Sequence, residues 1–75
     1  MAESAGPRKR SLGISGHRTS VSLEDAFWDA LKDVARAEGK SRTALVAEID
    51  SRRGELGLSS AVRLHVLAHF RARAR

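Results

Sequence analysis

A short alternating run, His17–Leu23, constrains the fold of this chain more than any other stretch. Successive side chains of an extended strand point to opposite faces, so the apolar and β-branched residues separate from the polar ones. One face consists of Thr19, Val21 and Leu23, and the other of Arg18, Ser20 and Ser22. The first face is suited to burial. The second carries a guanidinium and two hydroxyls, which hydrogen-bond to phosphates and base edges.

No other stretch alternates as well, and a lone strand leaves its backbone N–H and C=O groups without partners. Leu12 and Ile14 keep the same phase, which leaves an earlier start of the strand open, but Gly13 and Gly16 disfavour a long regular ribbon. We therefore expect the strand to pair antiparallel with the same strand of a second copy, which gives a two-fold dimer. The length of 75 residues favours an oligomer, because chains of this size bury only about 60% of their unfolded surface.

The net charge of +5 is unevenly distributed. Positive charge lies on the strand and in two terminal segments, the first containing Arg8, Lys9 and Arg10 and the second, residues 63–75, containing four arginines and no acid. This placement is expected of a protein that meets a polyanion, although basic tails that only maintain solubility are an alternative. The predicted divisions are a flexible basic arm over 1–15, a folded domain over 16–72 and a basic tail over 73–75.

Composition excludes several classes of protein. The absence of cysteine removes disulfides and thiolate metal sites and fits a reducing compartment. No apolar run approaches the roughly 20 residues that a membrane span needs, and no hydrophobic segment follows the basic residues near the N-terminus. A cytoplasmic location is therefore expected, with no membrane partner.

The apolar period changes from two to three or four after the strand, which predicts three helices and a mainly α fold. The first helix runs from Asp25 to about Glu38 and stops at Gly39. The second begins at an N-cap, Ser41, and ends near Arg52 or Gly54. Its inward residues are expected to be Leu45, Val46 and Ile49, and those of a third helix that begins at Leu58 are Val62, Val66, Leu67 and Phe70.

The third helix is apolar around more than half of its circumference, so we expect it at a dimer centre. The predicted dimer core consists of Thr19, Val21, Leu23, Phe27, Leu31, Val62, Val66 and Phe70. Arg63 lies within the apolar face of that helix and requires a partner, for which Glu48 or Asp50 of a neighbouring helix is the candidate.

At this point the pattern resembles the ribbon-helix-helix family of DNA-binding proteins, in its bacterial subgroup with an additional helix. The resemblance covers residues 17–70 and is carried by three segments. These are Arg18-Thr19-Ser20-Val21-Ser22-Leu23, the helix that starts at Asp25, and Gly39-Lys40-Ser41-Arg42-Thr43. The resemblance implies an intertwined homodimer whose paired strands enter the major groove of double-stranded DNA.

The resemblance also implies site residues. The outward strand residues Arg18, Ser20 and Ser22 read bases, which agrees with the ability of arginine to chelate guanine O6 and N7. The start of the second helix anchors to phosphate through Ser41, Arg42 and Thr43. Leu58-Ser59-Ser60 looks equally like that element, so Ser59 and Ser60 are an alternative to the preferred, ungapped choice. Arg8, Lys9 and Arg10 are further candidates for phosphate contact.

The expected function is therefore sequence-specific DNA binding by a dimeric transcriptional repressor, without cofactors. A rival is a protein-interaction or dimerisation module of the antitoxin type, which leaves a protein partner open. His65 and His69, four residues apart, resemble half of a helical zinc site, but two histidines do not complete one, and no metal is predicted. An enzyme is not expected, since no nucleophile elbow, phosphate loop or carboxylate pair is present.

Overall fold

A hairpin of two strands followed by three helices forms the part of the chain that the computed structural model describes, residues 6–74. The elements are β1 (Arg8–Ile14), β2 (His17–Leu23), α1 (Asp25–Ala37), α2 (Arg42–Arg52) and α3 (Leu58–Arg73). No described helix combines the length and apolar character required to cross a membrane.

The partner of β2 is β1 of the same chain. The two strands pair antiparallel, in a register that runs from Arg8↔Leu23 to Ile14↔His17. The prediction that β2 lacks a partner strand within the chain was therefore wrong. Residues 8–14 are strand and not flexible arm, while residues 1–5 of the predicted arm lie outside the described part of the chain.

A tight turn accounts for this difference. Ser15 and Gly16 have φ angles of 50° and 83°, and positive φ at both central residues is the mark of a type I′ hairpin turn. Gly16, which disfavoured a long regular ribbon, is thus one of the two turn residues at which the chain reverses direction. Leu12 and Ile14 are the inward residues of β1 and are 9% and 3% exposed.

The helices begin and end close to the predicted positions, for local reasons. Gly39, with φ of 74°, follows α1, and the N–H of Lys40 donates to the carbonyl of Ala35 at 2.9 Å, which closes the helix in a Schellman motif. At the start of α2, the hydroxyl of Ser41 accepts a hydrogen bond from the N–H of Ala44 at 3.0 Å.

One apolar core lies between the hairpin and the helices. Its fully buried side chains include those of Val21, Leu23, Leu31, Val34, Leu45, Val46 and Val62. Five of the predicted dimer-core residues therefore belong to the core of a single chain, namely Val21, Leu23, Leu31, Val62 and Val66. Thr19 and Phe27 are partly buried.

The outer side of α3 departs from the prediction. Leu67 and Phe70, expected to face inward, are 49% and 41% exposed. Within one chain α3 packs on one side only, and Val62 and Val66 occupy that side. The apolar residues on the other side remain in contact with solvent.

Candidate nucleic-acid interface

The outward face of the hairpin is polar throughout and carries no acidic residue. Strand alternation and register place three cross-strand pairs there: Lys9 with Ser22, Ser11 with Ser20, and Gly13 with Arg18. We call these six residues the ribbon face. All are exposed except Ser22, which is half-buried. Because no acid occurs between Glu3 and Glu24 in the sequence, the charge of this face is positive.

Arg18 is, with Lys9, one of the two cations on the ribbon face. The Arg18 side chain makes no hydrogen bond or ion pair with any residue of the described chain. Gly13, its cross-strand partner, has no side chain, and a Cβ placed there would meet nothing within 4 Å. The guanidinium therefore has open space across from it, over Gly13 of β1.

Ser22 has a second role at the end of β2. Its N–H donates to the hydroxyl of Ser59 at 3.0 Å, and Arg63 Nη2 donates to its carbonyl at 3.3 Å. Both partners lie on α3, so this helix closes the outer edge of β2 at Ser22. Ser59, the alternative phosphate ligand, thus uses its hydroxyl inside the chain.

The basic cluster at the start of β1 separates into different roles. Lys9 is exposed on the ribbon face. Arg8 is also exposed, although its Nη1 lies 3.3 Å from a carboxylate oxygen of Asp25. Arg10 faces the helices, with a side chain only 14% exposed. It donates to the carbonyl of Leu23 at 3.0 Å and to Asp25 at 2.6 Å.

These contacts give Arg10 a structural role, because its Nη2 donates to two acceptors within the chain, while its buried Nε has no hydrogen-bond partner among the described residues. Its hydrogen bond to Asp25 is the main reason that the pKa of this carboxyl is lowered from its ordinary value of 3.8. Strand alternation explains why Arg10 faces the helices, since residues 8, 10, 12 and 14 of β1 share the inward face.

Trp28 joins the ribbon to the start of α2. The guanidinium carbons of Arg10 and Arg42 lie 5.0 Å and 4.1 Å from the centre of its ring, distances typical of cation–π contacts. Arg42 Nη1 also donates to the Trp28 carbonyl at 3.1 Å. Two guanidinium carbons that share one ring lie within about 9 Å of each other. The N-terminus of α2 is thereby positioned beside the inner side of β1.

Cations surround the N-terminus of α2, where the preferred phosphate contact was predicted. Lys32, Arg36, Lys40 and Arg42 line a shallow depression together with Ser41. The first N–H groups of a helix have no acceptor within the helix, and its N-terminus carries partial positive charge. Thr43, in this first turn, is exposed. This depression is therefore suited to an anion such as a backbone phosphate.

The two histidines of α3 are both half-buried. His65 Nε2 lies 2.9 Å from a carboxylate oxygen of Glu38. This hydrogen bond is the main cause of the lowered pKa of Glu38. Within residues 6–74, no cluster of three or more His, Cys, Asp or Glu side chains could hold a metal ion.

Comparisons with known proteins agree with this architecture. The sequence model of a family described as "Ribbon-helix-helix domain" matches residues 7–70. A solved structure of an uncharacterized protein from Bordetella pertussis Tohama I is similar over 93% of this chain, with a TM-score of 0.76 and 33% sequence identity. The similar region spans 60% of that longer chain. Among curated proteins, no match was found.

Proposed function

Because the chain belongs to the ribbon-helix-helix family, we propose that it binds double-stranded DNA sequence-specifically, with the ribbon face in the major groove, and that it represses transcription as a homodimer. Domains of this family generally dimerise and bind DNA, and the family is typically regulatory and not enzymatic. The proposed setting is the bacterial cytoplasm, where such a repressor meets its DNA.

The observation that carries this proposal is the free guanidinium of Arg18 on an acid-free two-stranded ribbon. The major groove is about 12 Å wide and admits a ribbon of two strands. Arginine can donate two hydrogen bonds to O6 and N7 of guanine, and the Ser20 hydroxyl can either donate or accept. Ser22 completes the base-reading set at the end of the ribbon nearest α3.

Phosphate contacts are proposed on both sides of this reading set. Lys9 extends from the ribbon face itself, and Arg8 lies next to it at the strand end. Ser41, Arg42 and Thr43 supply the helix N-terminus, which binds phosphate through backbone N–H groups. Arg10 supports this arrangement indirectly, because it and Arg42 pack against the same indole ring.

A DNA-binding titration on a library of duplexes, repeated at several salt concentrations, tests the proposal. Arg18→Ala is expected to weaken binding to selected sites by about 1–3 kcal/mol and to relax preference at one base position. Lys9→Ala is expected to weaken binding to all duplexes similarly and to reduce the salt slope by about one phosphate contact.

Arg52→Ala is the matched control, since this arginine is 70% exposed but lies at the end of α2. Equal affinity of the native protein and the Arg18→Ala variant for selected duplexes would contradict base reading by the ribbon face. A native protein that ignores DNA even at low salt would contradict the proposal as a whole.

The alternative function, a protein-interaction module, has one observation in its favour. Four large apolar side chains of the described chain are exposed, namely those of Leu56, Leu64, Leu67 and Phe70. All four lie on α3 or directly before it. DNA binding and protein binding would use different surfaces of this chain, so the two functions are compatible.

A further inference from the structure

Trp28, the sole tryptophan of the chain, lies where the ribbon meets α2. Its ring is half-buried and packs against the apolar core from the first turn of α1. The guanidinium carbon of Arg10, on β1, lies 5.0 Å from the ring centre, and that of Arg42, on α2, lies 4.1 Å from it. One aromatic ring therefore contacts cations from two elements that are both proposed to bind DNA.

The two cations differ in how their charge is balanced. Arg10 forms an ion pair with Asp25 at 2.6 Å, and its side chain is only 14% exposed. Arg42 is half-buried and forms no ion pair with any acid of the described chain. Its Nη1 instead donates to the carbonyl of Trp28 at 3.1 Å. Arg42 is thus held by the ring and the carbonyl of one residue, while its charge stays uncompensated.

An arginine that is fixed in place but not neutralised is preorganised to bind an anion from outside the chain. Arg42 lines the depression at the N-terminus of α2 that is suited to a phosphate. The other side of the contact is equally constrained, because Arg10 Nη2 donates to the carbonyl of Leu23 as well as to Asp25. The position of the Arg42 guanidinium is therefore set relative to the ribbon.

We propose that Trp28 is a positioning residue for DNA binding, whose ring holds the Arg42 guanidinium at a fixed distance from the ribbon. This inference rests on the proposed function and adds a residue that acts through Arg42 and not by its own contact with DNA. Phosphate contacts fix the register of a protein on a duplex, and base contacts read the sequence. A phosphate contact on α2 and base contacts on the ribbon therefore cooperate only when the two elements keep a matching separation.

Phe27 offers a matched control one residue earlier on α1. Its ring is also half-buried and packs against the core, and the guanidinium carbon of Arg63 lies 5.8 Å from its centre. Arg63 is neutralised by Glu24 at 3.0 Å, so this ring does not hold an uncompensated cation. Phe27→Leu and Trp28→Leu both remove an aromatic ring from the same helix, but only Trp28→Leu removes the support of Arg42.

A double-mutant cycle on the affinity for one duplex at fixed salt tests the proposal. Arg42→Gln in the native chain is expected to raise the dissociation constant about tenfold and to reduce the salt slope by about one phosphate contact. In the Trp28→Leu background the same change is expected to raise it less than about threefold, because the guanidinium has already lost its support. In the Phe27→Leu background it is expected to cost about tenfold, as in the native chain.

Trp28→Leu keeps the carbonyl that accepts from Arg42, so the cycle measures the ring alone. Circular dichroism and urea unfolding establish that each background is folded. Equal costs of Arg42→Gln in the native and Trp28→Leu backgrounds would overturn the proposal. So would a reduced cost in Phe27→Leu as large as the reduction in Trp28→Leu, because that result would assign both rings a packing role only.

Trp28→Phe is the conservative variant, since phenylalanine keeps an aromatic face for a cation. Its dissociation constant for the duplex is expected to exceed the native value by less than about twofold, whereas that of Trp28→Leu rises about fivefold or more. A Trp28→Phe variant that binds as weakly as Trp28→Leu would contradict a role for the aromatic face.

Tryptophan emission gives a test on the native chain that needs no substitution in the core. The chain contains one tryptophan and no tyrosine, so its emission reports the surroundings of the Trp28 ring. Saturation with duplex is expected to shift the emission of the native chain and of Arg18→Ala, because a phosphate at Arg42 changes the charge beside the ring. The shift is expected to be absent in saturated Arg42→Gln. Unchanged native emission, or an equal shift in Arg42→Gln, would overturn the proposal.

Failure of this inference is distinguishable from failure of the proposed function. A native chain that binds duplexes, with Arg18→Ala losing sequence preference but with additive costs of Trp28→Leu and Arg42→Gln, would remove the positioning role alone. A native chain that ignores DNA even at low salt would overturn both.

Discussion

Arg63 of α3 binds the carboxylate of Glu24, the residue that joins β2 to α1, through two hydrogen bonds. Nε donates to Oε1 at 3.1 Å and Nη2 donates to Oε2 at 3.2 Å. Since the same guanidinium also donates to the carbonyl of Ser22, one side chain holds the end of the ribbon, the start of α1 and the first turns of α3 together.

This contact confirms that Arg63 forms a structural ion pair but shows that the expected partners were wrong. Glu48 binds Lys40 at 2.6 Å, and Asp50 binds Arg53 at 2.6 Å. The partner of Arg63 lies 39 residues earlier in the chain, at a junction that only the packing of α3 on the ribbon brings close.

Replacing Arg63 with alanine is expected to loosen the end of the ribbon. The Ser22 N–H, which donates to Ser59 beside Arg63, should exchange with solvent at least about tenfold faster, because local opening becomes easier. Amide hydrogen exchange followed by NMR measures this change. Arg71→Ala, an exposed change on the same helix, is the control and should leave the Ser22 amide unaffected. Unchanged exchange in Arg63→Ala would show that this side chain does not hold the ribbon.

Acid is expected to destabilise the fold partly through Asp25. The hydrogen bond from Arg10 lowers the pKa of Asp25 from its ordinary value of 3.8. A group with a lowered pKa in the folded state stabilises the fold fully above its unfolded pKa, and this contribution is lost as the pH falls through the folded pKa. The free energy of unfolding should therefore decrease below about pH 4.

Urea unfolding of the native chain and of Asp25→Asn between pH 7 and the acid range measures the contribution. The variant should show a smaller decrease, because it has no carboxyl at this position to protonate. Asp33→Asn, an exposed position on the same helix, should retain the native dependence. Identical acid profiles for the native chain and Asp25→Asn would mean that the Arg10 contact contributes nothing to the stability of the fold.

One substitution in the hairpin turn is expected to stabilise the fold. Ser15 has a φ of 50°, a conformation that costs most L-residues roughly 1–2 kcal/mol but that asparagine tolerates. Asn-Gly is also the favoured pair for a type I′ turn. Ser15→Asn is therefore expected to raise the free energy of unfolding by about 0.5–1 kcal/mol.

Thermal and urea unfolding measure this change, and Gly16→Ala supplies the opposite case. Gly16→Ala is expected to lower the free energy of unfolding by about 1 kcal/mol, because a residue with a Cβ is strained at a φ of 83°. A Ser15→Asn variant less stable than the native chain would indicate that the turn adopts another conformation in solution.

Local patterns in the sequence predicted the helices and the faces of β2 well. Gly39 ends α1 and Ser41 caps α2 as expected, because caps and turns depend on neighbours only a few residues away. Val21 and Leu23 are buried, because the alternation of a strand decides which side faces the core. Family membership also followed from the order of these local elements, and the family match over residues 7–70 confirms it.

Contacts between distant segments were not predictable in the same way. Leu12 and Ile14 showed the right alternation, but only their pairing with β2 established a second strand. That pairing turned Arg10 towards Asp25 and left Lys9 on the ribbon face. In the same way, the packing of α3 decided that Arg63 meets Glu24 and that Leu67 stays exposed. The sequence by itself determined where the elements lie and which sides are apolar, because these properties are local. Tertiary structure decided which polar groups have a partner within the described chain and which do not, because that depends on which segments folding brings together.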